Sequence, residues 1–181
     1  MRTEDLDSLR SKLPTNPRLE GEDEYFTSVV LLLLIPVDGE YHILFEKRAS
    51  AIRQGGEISL PGGQYDDADS SGEATAIRET TEELGIPKEK IKIIGRLDSI
   101  FAPMGVLVDV FVGVSDVKMV DIKTNPDEVE KAFALPVSYF ENYKPEEYKV
   151  MVEVHPSYID RNTGKEVVLL PYKELNLPQR Y

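Results

Sequence analysis

Between Pro61 and Ile86 the chain carries seven acidic residues and one basic one, in a segment that opens on Gly62-Gly63 and closes on Gly85-Ile86. Residues 72–84 have the composition of a helix, and Gly85 with Pro87 stops it. At about 100° per residue, Ala74, Ile77, Thr81 and Leu84 share a narrow stripe, the expected buried face. Glu79, Glu82 and Glu83 then fall on the opposite side. Glu79 and Glu83 lie one turn apart, where like charges cost about 0.2–0.5 kcal/mol, and Arg78 relieves only part of that repulsion. The loop before the helix adds Asp66, Asp67 and Asp69, and its glycines let backbone atoms approach a ligand closely. A hard divalent cation would turn the repulsion into coordination.

Composition narrows the choice of ion. The 181 residues contain no cysteine, which excludes disulfides, thiolate nucleophiles and cysteine-bound zinc. His42 and His155 are too few for a histidine-built centre, and both read as structural or exposed. Any divalent metal must be held mainly by oxygen, which suits magnesium, calcium or manganese. A net charge of −12 argues against a nucleic-acid footprint and against an anionic membrane surface. The N-terminal residues lack the basic-then-apolar order of a signal peptide, and the apolar run 29–35 is too short to span a bilayer. A cytoplasmic protein is the expectation.

The length suits one domain, 1–181, divided into an N-terminal helix and linker (1–20), a core (26–143), and C-terminal strands with a short helix (144–181). Residues 3–13 read as a helix capped by Thr3. Residues 26–35 read as a strand buried on both faces. Asp38-Gly39 signals a hairpin into 41–45, and 48–60 is irregular until a strand at 57–60. Strands are expected at 91–101 and 106–114, with Pro103 and Gly105 between them. Short helices are expected at 127–133 and 137–143, and late strands at 148–154 and 166–170. Tyr139, Phe140 and Tyr143 recur at helical spacing and read as core. Helices and strands mix without a regular βαβ rhythm, which favours α+β or a mixed sheet flanked by helices.

Arg78-Glu79-Thr80-Thr81-Glu82-Glu83-Leu84-Gly85-Ile86 resembles the Nudix box of the Nudix hydrolase superfamily, with Thr80 where an apolar residue is usual. The extended interval from Gly63 to Arg78, with Asp66 and Asp69 inside it, is similar to the coenzyme A pyrophosphatase branch. So is the upstream run from Arg48 to Gly63, although Leu60 replaces a phenylalanine. Residues 127–137 resemble that branch's Glu-Val…Phe…Pro-Leu segment. Its tryptophan-containing tail segment has no counterpart, because the chain has no tryptophan.

The resemblance implies an α/β/α sandwich with a mixed β-sheet between helices. It implies cleavage of the diphosphate in a nucleotide conjugate, with Mg2+ or Mn2+ as cofactor. Coenzyme A or an acyl derivative is the leading substrate, ADP-ribose or another nucleoside diphosphate derivative the runner-up. A nucleotide-sensing domain without turnover is the non-enzymatic rival. Glu79 and Glu83 are the implied principal metal ligands, with Glu82 assisting and the Gly62 carbonyl completing the shell. Arg78 orients the glutamates. Glu128 is the first candidate for general base and Glu82 the second; a glutamate at a helix N-terminus is the plainer reading of Glu128. Lys47, Arg48 and Arg53, with Gly63, are the candidate substrate-binding set, because arginine suits bidentate phosphate recognition. The implied partner is a small nucleotide, not nucleic acid or membrane, and a homodimer is compatible with all of this.

Overall fold

Every second side chain of one twelve-residue strand points into the core. β1 (Phe26–Val37) buries Val29, Leu31, Leu33 and Ile35 completely, while most of their neighbours on the other face are half-buried. The uninterrupted apolar run therefore serves both faces, but unequally. A computed structural model describes residues 10–13, 25–102, 105–151, 153, 155–171 and 173–175. The chain forms two compact units, Met1–Tyr143 and Lys144–Tyr181.

In the first unit β1 turns into β2 (Glu40–Arg48) through Asp38 and Gly39, at φ 49° and 87°. Two consecutive left-handed residues between the paired Val37 and Glu40 make the tight hairpin that Asp-Gly signals. The two strands stay paired only as far as Leu34 and Ile43. Beyond that point they part, and a wedge fills the gap. β3 (Ile58–Ser59) pairs with β2 and β4 (Gly62–Gln64) pairs with β1.

β7 (Val106–Val114) runs parallel to β1, and β5 (Lys92–Arg96) and β6 (Ile100–Ala102) pair with β7. The expected strand 91–101 is thus two strands. β8 (Val129–Pro136) lies antiparallel to β2, which completes an eight-stranded mixed sheet.

The expected helix at 127–133 is not there. The free edge of β2 takes this segment as a strand, and Phe133 stacks on Phe45 at 5.8 Å between ring centres. Cross-strand pairing overrides a weak helical preference.

Helices cover both faces of the sheet. α1 (Gly72–Leu84) matches its expected bounds, with Ser71 capping through the Ala74 N–H and Gly85 at φ 65° closing the C-terminus. Its Ala76 and Leu84 join Val29, Leu31, Leu33 and Leu44 in the core. Phe45, pointing the other way from Leu44, meets Phe140 of α2 (Val137–Asn142) at 5.9 Å. The helix expected at 137–143 is present, but Tyr139, Phe140 and Tyr143 are 45%, 41% and 50% exposed rather than core. Their apolar surface lines a flank of the sheet, with Tyr139 and Tyr143 stacked on each other.

The buried face of α1 also differs from expectation. Thr75, Ala76, Thr80, Glu83 and Leu84 face inward, while Ala74, Ile77 and Thr81 are only partly buried. Thr80 is accommodated because its hydroxyl donates to the Ala76 carbonyl at 2.7 Å. Ala74, Ile77 and Thr81 line a shallow groove of about 430 Å³ with Glu82 and Lys88. Of the expected stripe Leu84 is fully buried and Ile77 packs against the core, but the inward face is turned towards Thr80 and Glu83, so a carboxylate occupies the sheet side.

In the second unit β9 (Ser157–Ile159) pairs with β10 (Glu166–Val168). Asp160 organises the turn by accepting from the N–H groups of Asn162 and Thr163. Residues 148–151 and 153 are not in a strand, so the partner of β10 is β9 rather than the expected 148–154. Residues 10–12 are helical; the rest of the expected N-terminal helix, apart from Leu13, and Pro103 lie outside the described residues.

Candidate active site

The split between β1 and β2 sets the geometry of the site. Gly62, at φ 154°, sits directly against β1, where a Cβ would stand 2.1 Å from the Val29 carbonyl oxygen. Its N–H donates to Glu83 Oε2 at 2.8 Å. At Gly63 a Cβ would meet the Glu79 carboxyl at 2.4 Å. Gly62 thus lets the loop lie against β1 with its N–H turned to Glu83, and Gly63 leaves the space that the Glu79 carboxyl occupies. Glu83 is 5% exposed.

Arg78 ties the loop to the helix. It reaches Asp69 at 3.0 Å, Glu79 at 2.9 Å, Glu82 at 3.0 Å and the Gln64 carbonyl at 3.2 Å. The expected orienting role of Arg78 is consistent with these contacts. The Arg78 hydrogen bonds hold Asp69 down to about 2. Asp66 serves the loop itself, accepting from the Ala68 N–H at 2.8 Å. Asp67 is exposed.

Glu46 was not anticipated from the sequence. It lies on β2 two residues after Leu44, and so on the same inward face, and it is completely buried. Ser59 donates to its Oε1 at 3.1 Å and Arg48 stands 3.8 Å from the same oxygen, while Oε2 has no hydrogen-bond partner. The alternation from Leu44 was the available signal. Burial pushes both Glu46 and Glu83 well above the usual carboxylate range, and their mutual repulsion raises Glu83 further. Burial also raises Glu79, against the pull of Arg78.

Glu82 stands apart from this group, exposed and paired with Arg78, on the groove side of α1. Glu128 lies in a turn before β8, not at a helix N-terminus. Its Oε2 accepts from Asn125 at 3.1 Å, and its charge acts on Glu46, Glu79 and Glu83. Among the described residues, no three acidic or histidine side chains already converge at metal-ligand spacing.

Beside the glycines opens a cleft of about 600 Å³, lined by Arg48, Arg53, Ser59, Gly62, Gly63 and Val108, among others. Arg48 donates to the Arg53 carbonyl at 3.2 Å, and the Arg53 guanidinium lies 5.0 Å over the Phe26 ring. Lys47 points the other way along β2 and pairs with Glu130 at 2.7 Å; it does not line the cleft. A second polar cluster surrounds Asp109 on β7. Burial alone would raise this carboxyl, but Ser99, Tyr65 and Arg96 hold it below the usual range.

The NUDIX domain family matches residues 25–154. The chain belongs to that family. Among similar curated proteins, human mitochondrial coenzyme A diphosphatase NUDT8 is 34% identical over 116 residues, 62% of this chain and 49% of the relative. Mouse peroxisomal coenzyme A diphosphatase NUDT7 is 32% identical over 112 residues, 61% of this chain and 47% of the relative. The chain thus spans about half the length of these two relatives. The compartments in these two names differ from each other and from the cytoplasmic expectation.

Among solved structures, the Nudix hydrolase RenU from M. smegmatis aligns over 66% of this chain and 74% of its own, with TM-score 0.54 and 19% identity. The NUDIX domain of Shewanella oneidensis NrtR, complexed with ADP ribose, aligns over 80% and 89%, with TM-score 0.52 and 17% identity. At such identities the likeness shows the fold, and the fold is the expected one. No helix among the described residues is long and apolar enough to cross a membrane.

Proposed function

We propose that this chain is a divalent-cation-dependent pyrophosphohydrolase that cleaves coenzyme A or an acyl derivative to 3′,5′-ADP and (acyl-)phosphopantetheine. One juxtaposition carries the reading. The Gly62-Gly63 backbone that seats Glu79 and Glu83 also lines a cleft whose wall holds Arg48 and Arg53. A cation site beside an anion-binding wall suits a diphosphate. The names of NUDT8 and NUDT7 support the substrate class.

The residues fit a magnesium or manganese ion. All the donors are hard oxygens, and the buried Glu83 carboxyl meets the Gly62 N–H and other carboxylates rather than a cation. Glu79 and Glu83 would hold the ion with the Gly62 carbonyl, and Glu82 would assist. Bound there, the cation would neutralise diphosphate oxygens and activate water. Arg78 fixes the rotamer of Glu79 and ties it to the loop through Asp69. Arg48 and Arg53 orient the phosphates. Glu128, at the edge of the carboxylate group, takes the proton of the attacking water.

The test is product analysis with Mg2+ or Mn2+ over coenzyme A, ADP-ribose, NADH and dinucleoside polyphosphates. Release of 3′,5′-ADP from coenzyme A at the highest kcat/KM supports the reading. Preferential release of AMP from ADP-ribose overturns the substrate. Tight binding of one compound with no turnover of any favours the sensor.

A further inference from the structure

The cation reading uses Glu79, Glu82 and Glu83, all from α1, and leaves Glu46, the most deeply buried carboxylate among the described residues, without a task. Glu46 comes from β2. An ionised carboxylate that is fully enclosed needs donors on both oxygens or a counter-ion. Here the two available donors, Ser59 and the more distant Arg48, address only Oε1. Oε2 is enclosed and meets no N–H or hydroxyl donor, and the adjoining Glu83 carboxyl can bond to Glu46 only by carrying a proton, the place a cation would take. The strongest charge acting on Glu83 is Glu46, ahead of Glu79 and Glu128. A leucine at the position of Glu46 would continue the Leu44 face into the core without this cost.

The arrangement is also short of positive charge. Glu83, which accepts from the Gly62 N–H, is acted on by the charges of Glu46, Glu79 and Glu128. The nearest cations are Arg48, at 3.8 Å from Glu46, and Arg78, which is shared among Asp69, Glu79 and Glu82. A divalent ion supplies the missing charge, and a hard one accepts oxygen donors from separate segments.

We infer that Glu46 is itself a cation ligand, delivering a carboxylate oxygen from β2 to the ion that α1 holds through Glu83. The inference rests on the cation reading proposed above and adds a residue outside the Nudix box. It makes the metal site a junction of two segments distant in sequence, with Glu46 supplied by β2 and Glu83 by α1.

Mn2+ binding, read as loss of the free-ion electron paramagnetic resonance signal, tests it on the purified full chain. Glu83→Gln is expected to abolish tight Mn2+ binding. Glu46→Gln is expected to weaken it by at least about tenfold, the lower end of what loss of a supporting metal-site group costs. Without metal, Glu46→Gln should melt at or above the wild-type temperature, because it removes a buried group whose charged form burial penalises. If Glu83→Gln binds Mn2+ as wild type does, the cation reading itself fails. If Glu83→Gln loses Mn2+ while Glu46→Gln binds normally and melts lower, Glu46 is structural and only this inference falls. Should Glu46→Gln fail to fold, Glu46→Asp carries the test. It keeps the charge but withdraws the oxygens by one methylene, so unchanged Mn2+ affinity overturns the inference and weakened affinity supports it.

Discussion

The acidic residues of the loop and helix fall into two populations that differ in what surrounds them. On the outer side, Asp66, Asp69 and Glu82 are matched by an N–H group or by Arg78. On the sheet side, Glu83 and the neighbouring Glu46 are buried against each other with too few donors. The outer acids stabilise the native chain. The inner ones cost it stability, and carboxylates shifted by burial and like charge cluster at functional sites. Fourteen residues of sequence separate Asp69 from Glu83, yet the backbone gives them opposite roles.

The largest effect expected from breaking this contrast is on catalysis. Glu83→Gln should lower turnover of the preferred substrate by on the order of a hundredfold or more, while raising the melting temperature of the metal-free protein. Steady-state rates and thermal melts on one preparation check both signs, and a drop in both would remove the contrast.

The two glycines sharpen it further. Gly62→Ala forces a Cβ into β1 backbone and should cost about 2–4 kcal/mol of stability in chemical denaturation. Gly63→Ala meets only the Glu79 carboxyl, which can swing away. It should lose activity with little change in the denaturation midpoint.

Asp69→Asn probes the outer set. It removes the charged partner that anchors Arg78 and should reduce kcat by about tenfold, with a lower melting temperature, the reverse of the sign expected for Glu83→Gln.

The smallest effect is on pH dependence. Glu46 and Glu83 hold protons in the folded state at pH values where the unfolded chain has released them. Their contribution to metal-free stability therefore declines as pH rises above the ordinary carboxylate range. Asp69 has the opposite sign: its contribution is complete above the ordinary aspartate range and is lost as pH falls through about 2. Melting curves in chelator from pH 5 to 9 should fall for wild type and flatten for Glu83→Gln.

Local signals carried much of this to the surface of the sequence. Asp38-Gly39 specified its hairpin because two adjacent left-handed residues admit few other turns. Ser71 and Gly85 bound α1 because capping is decided within one turn of the helix end. The alternation of β1 was hidden inside an apolar run, yet the strand itself was plain. What failed depended on partners far away along the chain. Residues 129–133 became strand because β2 offered an open edge. The inward face of α1 was misjudged because apolarity ranks Ala74 and Ile77 above Glu83, whereas the Gly62 N–H draws Glu83 to the sheet.

Sequence alone determined that this chain has a glycine-led acidic helix, that any metal would have to be held mainly by oxygen, and which motif it carries. Those are properties of composition and of spacing within one turn or one loop. Only the tertiary structure decided which carboxylates are buried together and that Glu46 joins them. It also turned Lys47 away from the cleft that Arg48 and Arg53 line. Burial and charge coupling depend on distances between β2, the wedge and α1, and those distances exist only once the split sheet has closed around Gly62.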